Sequence, residues 1–159
     1  MKKQHCYDVT TKWTGNIGLG TANYNQYERS HEISVEHKVP IMGSSDSSFR
    51  GDKLKYNPEE LLVASLSSCH MLWYLHLCSQ NGVVVTSYKD QASGKMEENE
   101  NGSGCFIEVQ LNPLVEVIDI NMIEKANEIH LKAHEFCFIA NSVNFPVLCN
   151  PITQLSSLQ

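Results

Sequence analysis

The sequence predicts an α+β fold in which antiparallel sheets surround one long central helix and a second helix packs beside them. Three observations lead to this fold class. The stretch 57–82 has helix start and stop signals around an apolar body, and the stretch 123–137 repeats apolar and small residues at helical spacing. Short β-prone segments lie before, between and after these two stretches. The 159 residues suit one domain with a core, so we expect a single domain over residues 1–159.

The N-terminal part of the chain predicts a hairpin of two strands. Residues 7–13 alternate as a strand until a glycine-rich turn follows, and a second period-two segment surrounds Ile33 and Val35. The next segment, 42–56, is rich in glycine, serine and aspartate. We expect a loop there, of a length that often carries function, and it brings Arg50 close to the start of the long helix.

The long helix is predicted between Asn57 and Gly82. Asn57 is a good N-cap, and Pro58 suits the first helical position because its missing N–H is not needed there. Glu59 places negative charge in the first turn, where the helix dipole favours it, and Gly82 ends the helix. The helix body has no continuous polar face, so we expect it to be buried nearly all round.

The segments after the long helix predict further strands. Residues 83–88 and 105–111 are β-prone, and the polar tract 97–102 is expected to form the turn that leads into the second of them. These segments predict a second hairpin. Residues 114–118 can extend the sheet.

The second helix is predicted to follow a cap at Asp119 or Asn121. Its apolar and small residues recur at spacings of three and four up to Cys137, which therefore belongs to the inward face. Residues 143–148 predict one last strand, and Pro146 restricts that strand to an edge or a bulge.

Charge and cysteine content exclude several classes of function. With 18 acidic against 12 basic side chains the net charge is -6, which argues against a nucleic-acid surface and against binding to anionic membranes. No signal-type apolar stretch follows the N-terminus, so we expect a cytoplasmic protein. The six cysteines include no C-x-x-C pair, which excludes a zinc ribbon or a thioredoxin motif, and we expect neither a cofactor nor a metal.

Two motifs place cysteines inside the predicted helices. The first, NPEELLVASLSSC, runs from residue 57 to Cys69, and the second, AHEFC over 133–137, is followed by Asn141. The first resembles the motif of the peroxidatic cysteine in the OsmC/Ohr family of thiol-dependent hydroperoxide reductases. The second resembles that family's second-cysteine helix, at a similar separation. The resemblance covers about residues 50–141.

The resemblance implies a peroxidase that reduces organic hydroperoxides in an oxidative stress response, with an external dithiol as reductant. Cys69 would be oxidised first, and Cys137 would attack the sulfenic acid that forms on it. Arg50 would stabilise the developing negative charge, and Glu59 would orient that arginine. The second motif departs from the family at Phe138, where the family usually has proline.

A metal site is an alternative interpretation of the second helix. His130, His134 and Cys137 fall at i, i+4 and i+7, so they lie on one helical face as metal ligands can. Cys69 would be available as a fourth donor. The histidines could equally be structural.

Two further alternatives stay open. The chain has only two arginines, so Arg29 could serve the thiolate in place of Arg50. The same fold could also act as a redox sensor or a small-ligand binding protein with little turnover.

Assembly follows from helix geometry as well as from the resemblance. Glu59 and Cys69 would lie about 15 Å apart along a straight helix, too far for direct contact. Two copies of the helix that cross antiparallel near Ala64 would bring the first turn of one copy to Cys69 of the other. The family's intertwined homodimers imply the same arrangement, so we expect a homodimer.

Overall fold

Residues 3–157 are described by a computed structural model, and their elements form the predicted α+β fold. The chain divides into two compact units, residues 1–61 and 62–159, which are described in turn. Residues 1, 2, 158 and 159 of the predicted 1–159 domain lie outside the described residues. Residues 1 and 2 belong to the N-terminal stretch from which a cytoplasmic protein is expected. The single domain stays a prediction.

The first unit contains a three-stranded antiparallel sheet. Strand β1 (Thr10–Trp13) pairs with β2 (His31–Ser34), which also pairs with β3 (Ile41–Gly43). The hairpin predicted for the N-terminal part is therefore confirmed, with shorter strands. Strand β3 replaces the start of the loop predicted at 42–56, because three extended residues are too few to show an alternating pattern.

The loop after β3 is held by a capped turn. Asp46 caps a 3₁₀ turn over Ser47–Phe49 by accepting a hydrogen bond from the Ser48 backbone N–H at 2.7 Å. Arg50 follows this turn in the left-handed conformation, with φ of 66°. Such a backbone conformation is uncommon for a residue with a side chain. Arg50 adopts it as the residue that ends the 3₁₀ turn, where its backbone N–H donates a hydrogen bond to the Ser47 carbonyl.

Helix α1 spans Pro58–Gln80, and both of its ends carry the predicted signals. The Asn57 side chain accepts a hydrogen bond from the Glu60 N–H at 2.7 Å, and the Glu60 carboxylate accepts one from the Asn57 N–H at 3.1 Å, which is a reciprocal capping box. Gly82, with φ of 71°, follows the helix end. By length and composition alone α1 could cross a membrane, a test that core helices also pass.

The burial of α1 differs from the prediction. The buried residues are spaced four apart along one side of the helix, at Leu66, His70, Tyr74 and Cys78. On the opposite side Leu72 is 62% exposed. Within one chain α1 is therefore buried along one side, and burial nearly all round stays a prediction that depends on the expected homodimer. The core of the second unit packs against one side of α1, and the apolar residues on the other side face outward.

The second unit contains two three-stranded sheets and a second helix in its described part. In chain order its elements are β4 (Val85–Asp90), β5 (Ser93–Glu98), β6 (Gly104–Leu111), β7 (Pro113–Val117), α2 (Ile123–Phe136), β8 (Val147–Cys149) and β9 (Ile152–Leu155). One sheet has the order β4-β7-β9 and the other the order β5-β6-β8. Both C-terminal strands lie at sheet edges.

Strand pairing in this unit corrects two predictions. The predicted hairpin between 83–88 and 105–111 is wrong, because β6 pairs with β5 and β4 pairs with β7. Strand β5 is exposed along its length, so no apolar alternation marks it in the sequence. The last strand predicted at 143–148 is present at a sheet edge but starts only at Val147, and it is not the last, because β9 follows it. Strands β8 and β9 each run parallel to a neighbouring strand after a crossover that includes α2.

Helix α2 packs against the core with the apolar face that the sequence predicted. Ala126, Ile129 and Ala133 are buried in a core cluster that also contains Tyr74 of α1 and residues of β7. Asp119 caps the 3₁₀ turn before the helix, as one of the two predicted caps. This packing places the end of α2 beside the middle of α1.

Candidate active site

Cys69 and Cys137 lie side by side in the second unit. Cys69 is half-buried in the middle of α1, and Cys137 directly follows the last residue of α2 and is 1% exposed. Their side chains are close enough for Cys69 to raise the pKa of Cys137, and both thiols are free. The structure thus brings together the two cysteines that the sequence motifs singled out.

Burial controls the protonation of Cys137. Removal from water raises the pKa of Cys137 to about 11, and the adjacent Cys69 acts in the same direction. The backbone N–H of Ala140, 3.5 Å from the Cys137 sulfur, acts in the opposite direction. A thiol with such a pKa keeps its proton at neutral pH. Cys137 is therefore present as a neutral thiol beside Cys69.

Aromatic side chains border the thiol pair. Trp73 lies one turn after Cys69 and stacks on Phe136, with ring centroids 5.2 Å apart. Phe138, the residue at which the second motif departs from the family pattern, meets Trp73 edge-on at 5.7 Å and is 65% exposed. These three rings form an apolar surface of the kind that binds an alkyl or aryl group.

The other two predicted site residues, Arg50 and Glu59, lie in the first unit. Arg50 lines a cavity of about 330 Å³ together with Arg29. One carboxylate oxygen of Glu59 is buried and has no hydrogen-bond partner among residues 3–157. In that described range Glu59 also forms no ion pair with Arg50, so the predicted orienting contact is not made within one chain.

The Arg29 side chain is held by contacts with Tyr24 and Tyr27. Its guanidinium donates hydrogen bonds to the carbonyls of Tyr27 at 2.6 Å and Tyr24 at 2.9 Å. It also lies 4.2 Å from the centroids of both tyrosine rings. Arg50 lies farther from the Tyr24 ring, at 6.0 Å. Two nitrogens of Arg29 are therefore committed to carbonyls, and the role of Arg50 or Arg29 towards the thiolate stays a prediction.

A second cluster of titratable groups, which the sequence analysis missed, lies on the buried side of α1. His70 Nε2 is 3.0 Å from His130 Nδ1 and 3.6 Å from the sulfur of Cys149. Burial lowers the pKa of His70 to about 4 and that of His130 to about 3, so both imidazoles are neutral at pH 7. The available signal was the position of His70, four residues from both Leu66 and Tyr74 on the buried side of α1.

The metal set considered for the second helix is not assembled. His130 turns towards His70, His134 is exposed, and Cys137 pairs with Cys69. The reason is that α2 ends at Phe136, so Cys137 has an extended backbone and does not continue the helical face. Among the described residues, His70, His130 and Cys149 are the group of metal-binding side chains that converge.

Comparisons with known proteins place these features in context. The sequence profile of the family described as OsmC-like protein matches residues 51–150. An OsmC-like protein of unknown function from Vibrio cholerae has a similar structure, with 30% sequence identity and a TM-score of 0.84 over 94% of this chain and 100% of that chain. No curated protein sequence is significantly similar to this chain.

Two organic hydroperoxide resistance proteins are similar in fold. The protein from Elizabethkingia anophelis is 17% identical, with a TM-score of 0.69 over 98% of this chain and 100% of that chain. OhrB of Bacillus subtilis is 18% identical, with a TM-score of 0.59 over 92% of this chain and 96% of that chain. At such identities the likeness concerns the fold alone.

Proposed function

Because this chain belongs to the OsmC-like protein family, we propose that it is a cytoplasmic thiol-dependent peroxidase that reduces organic hydroperoxides to alcohols. The observation that carries the proposal is the contact between the thiols of Cys69 and Cys137. One of them is half-buried and within reach of a substrate, and the other is a buried thiol beside it.

The two sulfurs supply the steps of a peroxidase cycle. The Cys69 thiolate attacks one peroxide oxygen, the O–O bond breaks, and the alkoxide leaves and takes a proton to become the alcohol. Cys69 is then a sulfenic acid. The Cys137 thiol attacks its sulfur and water leaves, which forms a Cys69–Cys137 disulfide, and an external dithiol reduces this disulfide. The closeness of the two side chains supports the second step, because Cys69 is near enough to shift the pKa of Cys137.

The aromatic surface supports an organic substrate. The rings of Trp73, Phe136 and Phe138 lie next to the thiol pair and offer apolar contact to an alkyl or aryl group. Hydrogen peroxide has no such group. We therefore assign the preference for organic hydroperoxides to these three side chains.

Arg50 and Glu59 complete the proposal through a homodimer. A buried carboxylate oxygen without a partner is costly, and the Glu59 oxygen has none among the described residues of one chain. The exposed side of α1 offers a surface for a second copy. In an antiparallel crossing of two α1 helices, Glu59 would hold Arg50 where its guanidinium stabilises the alkoxide that leaves from the partner's Cys69.

Subunit mixing tests this arrangement. We expect Cys69→Ser and Glu59→Ala chains to be inactive or severely impaired alone and to regain part of the activity when mixed under exchange conditions, because one of the two sites in a mixed dimer is then intact. Arg50→Lys should lose much of the rate, since an ammonium group lacks the two-pronged geometry of a guanidinium. A fully active monomer, measured by light scattering and turnover together, contradicts the dimeric site.

A turnover assay tests the function itself. We expect catalytic consumption of cumene hydroperoxide with dithiothreitol or dihydrolipoamide as reductant, and much slower consumption of hydrogen peroxide. After one equivalent of peroxide, peptide mapping should find the Cys69–Cys137 disulfide. Stoichiometric oxidation without turnover would instead identify a redox sensor on the same fold.

A further inference from the structure

We propose that His70, His130 and Cys149 form a binding site for one zinc ion. The three side chains come from three separate elements, α1, α2 and β8. Their ligand atoms all lie within 4.8 Å of one another. This cluster is separate from the thiol pair assigned to peroxide reduction and takes no part in that proposal.

The distances between the donor atoms fit a small ion with tetrahedral coordination. Zinc binds imidazole nitrogen at about 2.0–2.1 Å and thiolate sulfur at about 2.3 Å, which separates two nitrogens by about 3.3 Å and a nitrogen from a sulfur by about 3.6 Å. The observed separations are 3.0 Å between His70 Nε2 and His130 Nδ1, and 3.6 Å between His70 Nε2 and the Cys149 sulfur. The third pair, His130 Nδ1 and the Cys149 sulfur, lies within 4.8 Å, so the Cys149 side chain must move towards His130 for all three donors to meet one ion.

The histidine pair is poorly satisfied by its own hydrogen bond. One of the two facing nitrogens must donate and the other must accept. The outer nitrogens, His70 Nδ1 and His130 Nε2, are buried and have no hydrogen-bond partner among residues 3–157. A metal ion would accept both inner lone pairs at once and fix a single tautomer for each ring, with hydrogen on the outer nitrogen. The ion would thus satisfy the two inner nitrogens, whereas the two outer N–H groups would still lack a partner among residues 3–157.

The charges near the cluster suit a divalent cation. Asp90 lies close enough to act electrostatically on both His70 and Cys149, and the exposed His134 acts on His70 in the opposite direction. Its carboxylate is held by hydrogen bonds from the Ser67 hydroxyl at 2.6 Å and the Asn112 N–H at 2.7 Å. When zinc binds, the Cys149 thiol releases its proton to solvent and becomes a thiolate. Zinc, the Cys149 thiolate and the Asp90 carboxylate then sum to zero charge, as a buried site requires.

The donor types select the class of metal. Two neutral imidazoles and one thiolate are borderline to soft ligands, which favour zinc over magnesium or calcium. Three protein donors leave one coordination position for water. Cys149 is half-buried and marks the side from which an ion and that water enter.

Metal titration of the full chain tests the site. We expect metal-free protein to bind one zinc ion per chain, and cobalt in its place to show the charge-transfer absorption of a thiolate ligand. His130→Gln and Cys149→Ser should weaken binding by more than about 100-fold, the upper end of the effect of losing a merely supporting residue. His76→Gln, exposed on α1, and Cys105→Ser, exposed on β6, are the matched controls and should bind zinc normally.

Three results would overturn the proposal. They are no zinc binding, zinc binding unchanged in both His130→Gln and Cys149→Ser, and zinc binding lost in a Cys69→Ser/Cys137→Ser double variant, which would place the ion at the thiol pair. His130→Gln removes a buried ring, so circular dichroism must show a folded variant. His70→Gln and Cys149→Ser test the same site independently if it does not.

Discussion

Two consecutive residues of α1, Cys69 and His70, begin two different centres. Successive side chains on a helix point about 100° apart, so the two residues face different neighbours. Cys69 is half-buried and contacts the thiol of Cys137. His70 is 1% exposed and contacts His130 and Cys149. Both centres join α1 to later parts of the second unit. We call the first open, because half-buried Cys69 and exposed Phe138 belong to it, and the second closed, because both of its imidazoles are buried although Cys149 is half-buried.

The difference teaches which chemistry each centre can support. An open centre admits a substrate, and the rings beside Cys69 and Cys137 give that substrate an apolar surface. A closed centre admits at most an ion or a water molecule, and the neutral imidazoles of His70 and His130 are donors that suit an ion. We therefore assign turnover to the first centre and binding without turnover to the second.

The largest expected effect separates the two centres by activity. Cys69→Ser should reduce peroxidase turnover to the uncatalysed background, because an alcohol at this position cannot reduce a peroxide. The same variant should still bind one zinc ion per chain. Cys6→Ser and Cys105→Ser, both at exposed cysteines, are the controls and should keep their activity. Turnover by Cys69→Ser would contradict the assignment of the open centre.

The next largest effect is on stability: substitutions beside the two centres should change the free energy of unfolding by different amounts. Tyr74 is 0% exposed and stacks on His130 with ring centroids 3.9 Å apart, so Tyr74→Ala leaves a cavity beside the closed centre. We expect a loss of about 3–5 kcal/mol in the free energy of unfolding. Phe138→Ala, at the exposed edge of the open centre, should change it by only about 0.5 kcal/mol. Urea unfolding measures both, and equal losses would refute the contrast.

The smallest expected effect is a difference in the rate at which the two thiols of the open centre, Cys69 and Cys137, are alkylated. At pH 8 iodoacetamide should modify Cys69 at least about tenfold faster than Cys137, because the alkylating species is the thiolate and the pKa of Cys137 is about 11. The thiolate fraction of Cys137 rises with pH, so its modification should accelerate towards pH 10. Mass spectrometry of timed samples measures the two rates. Faster labelling of Cys137 at pH 8 would reverse the proposed order of reaction.

The parts of the fold that depend on local signals were predictable from the sequence. Asn57 and Gly82 act within one turn of the α1 ends, and both ends are where the sequence placed them. The pairing of β5 with β6 and the parallel pairing of β8 and β9 were not predictable. Strand β5 is polar and exposed, and a parallel pair depends on contacts across a long crossover that no local pattern records.

The two centres were predictable to different degrees for a similar reason. Cys69 and Cys137 lie in sequence motifs, and the spacing along α2 indicated that Cys137 faces inward. The other centre depends on three residues, His70, His130 and Cys149, which are far apart in the chain and meet only when α1, α2 and β8 pack. The helical spacing of His130 and His134 suggested a different set, because spacing alone does not show where a helix ends.

The late position of β8 and β9 has a consequence for folding kinetics. Both strands complete sheets whose other members, β6 and β7, come earlier in the chain, so the final pairings close large loops and raise the contact order. Until β8 docks, Cys149 is away from the histidine pair and one edge of β6 stays unpaired, and the edge of β7 stays unpaired until β9 docks. During refolding those edges are the sites at which two chains can join incorrectly, and slow docking of β8 lengthens that interval.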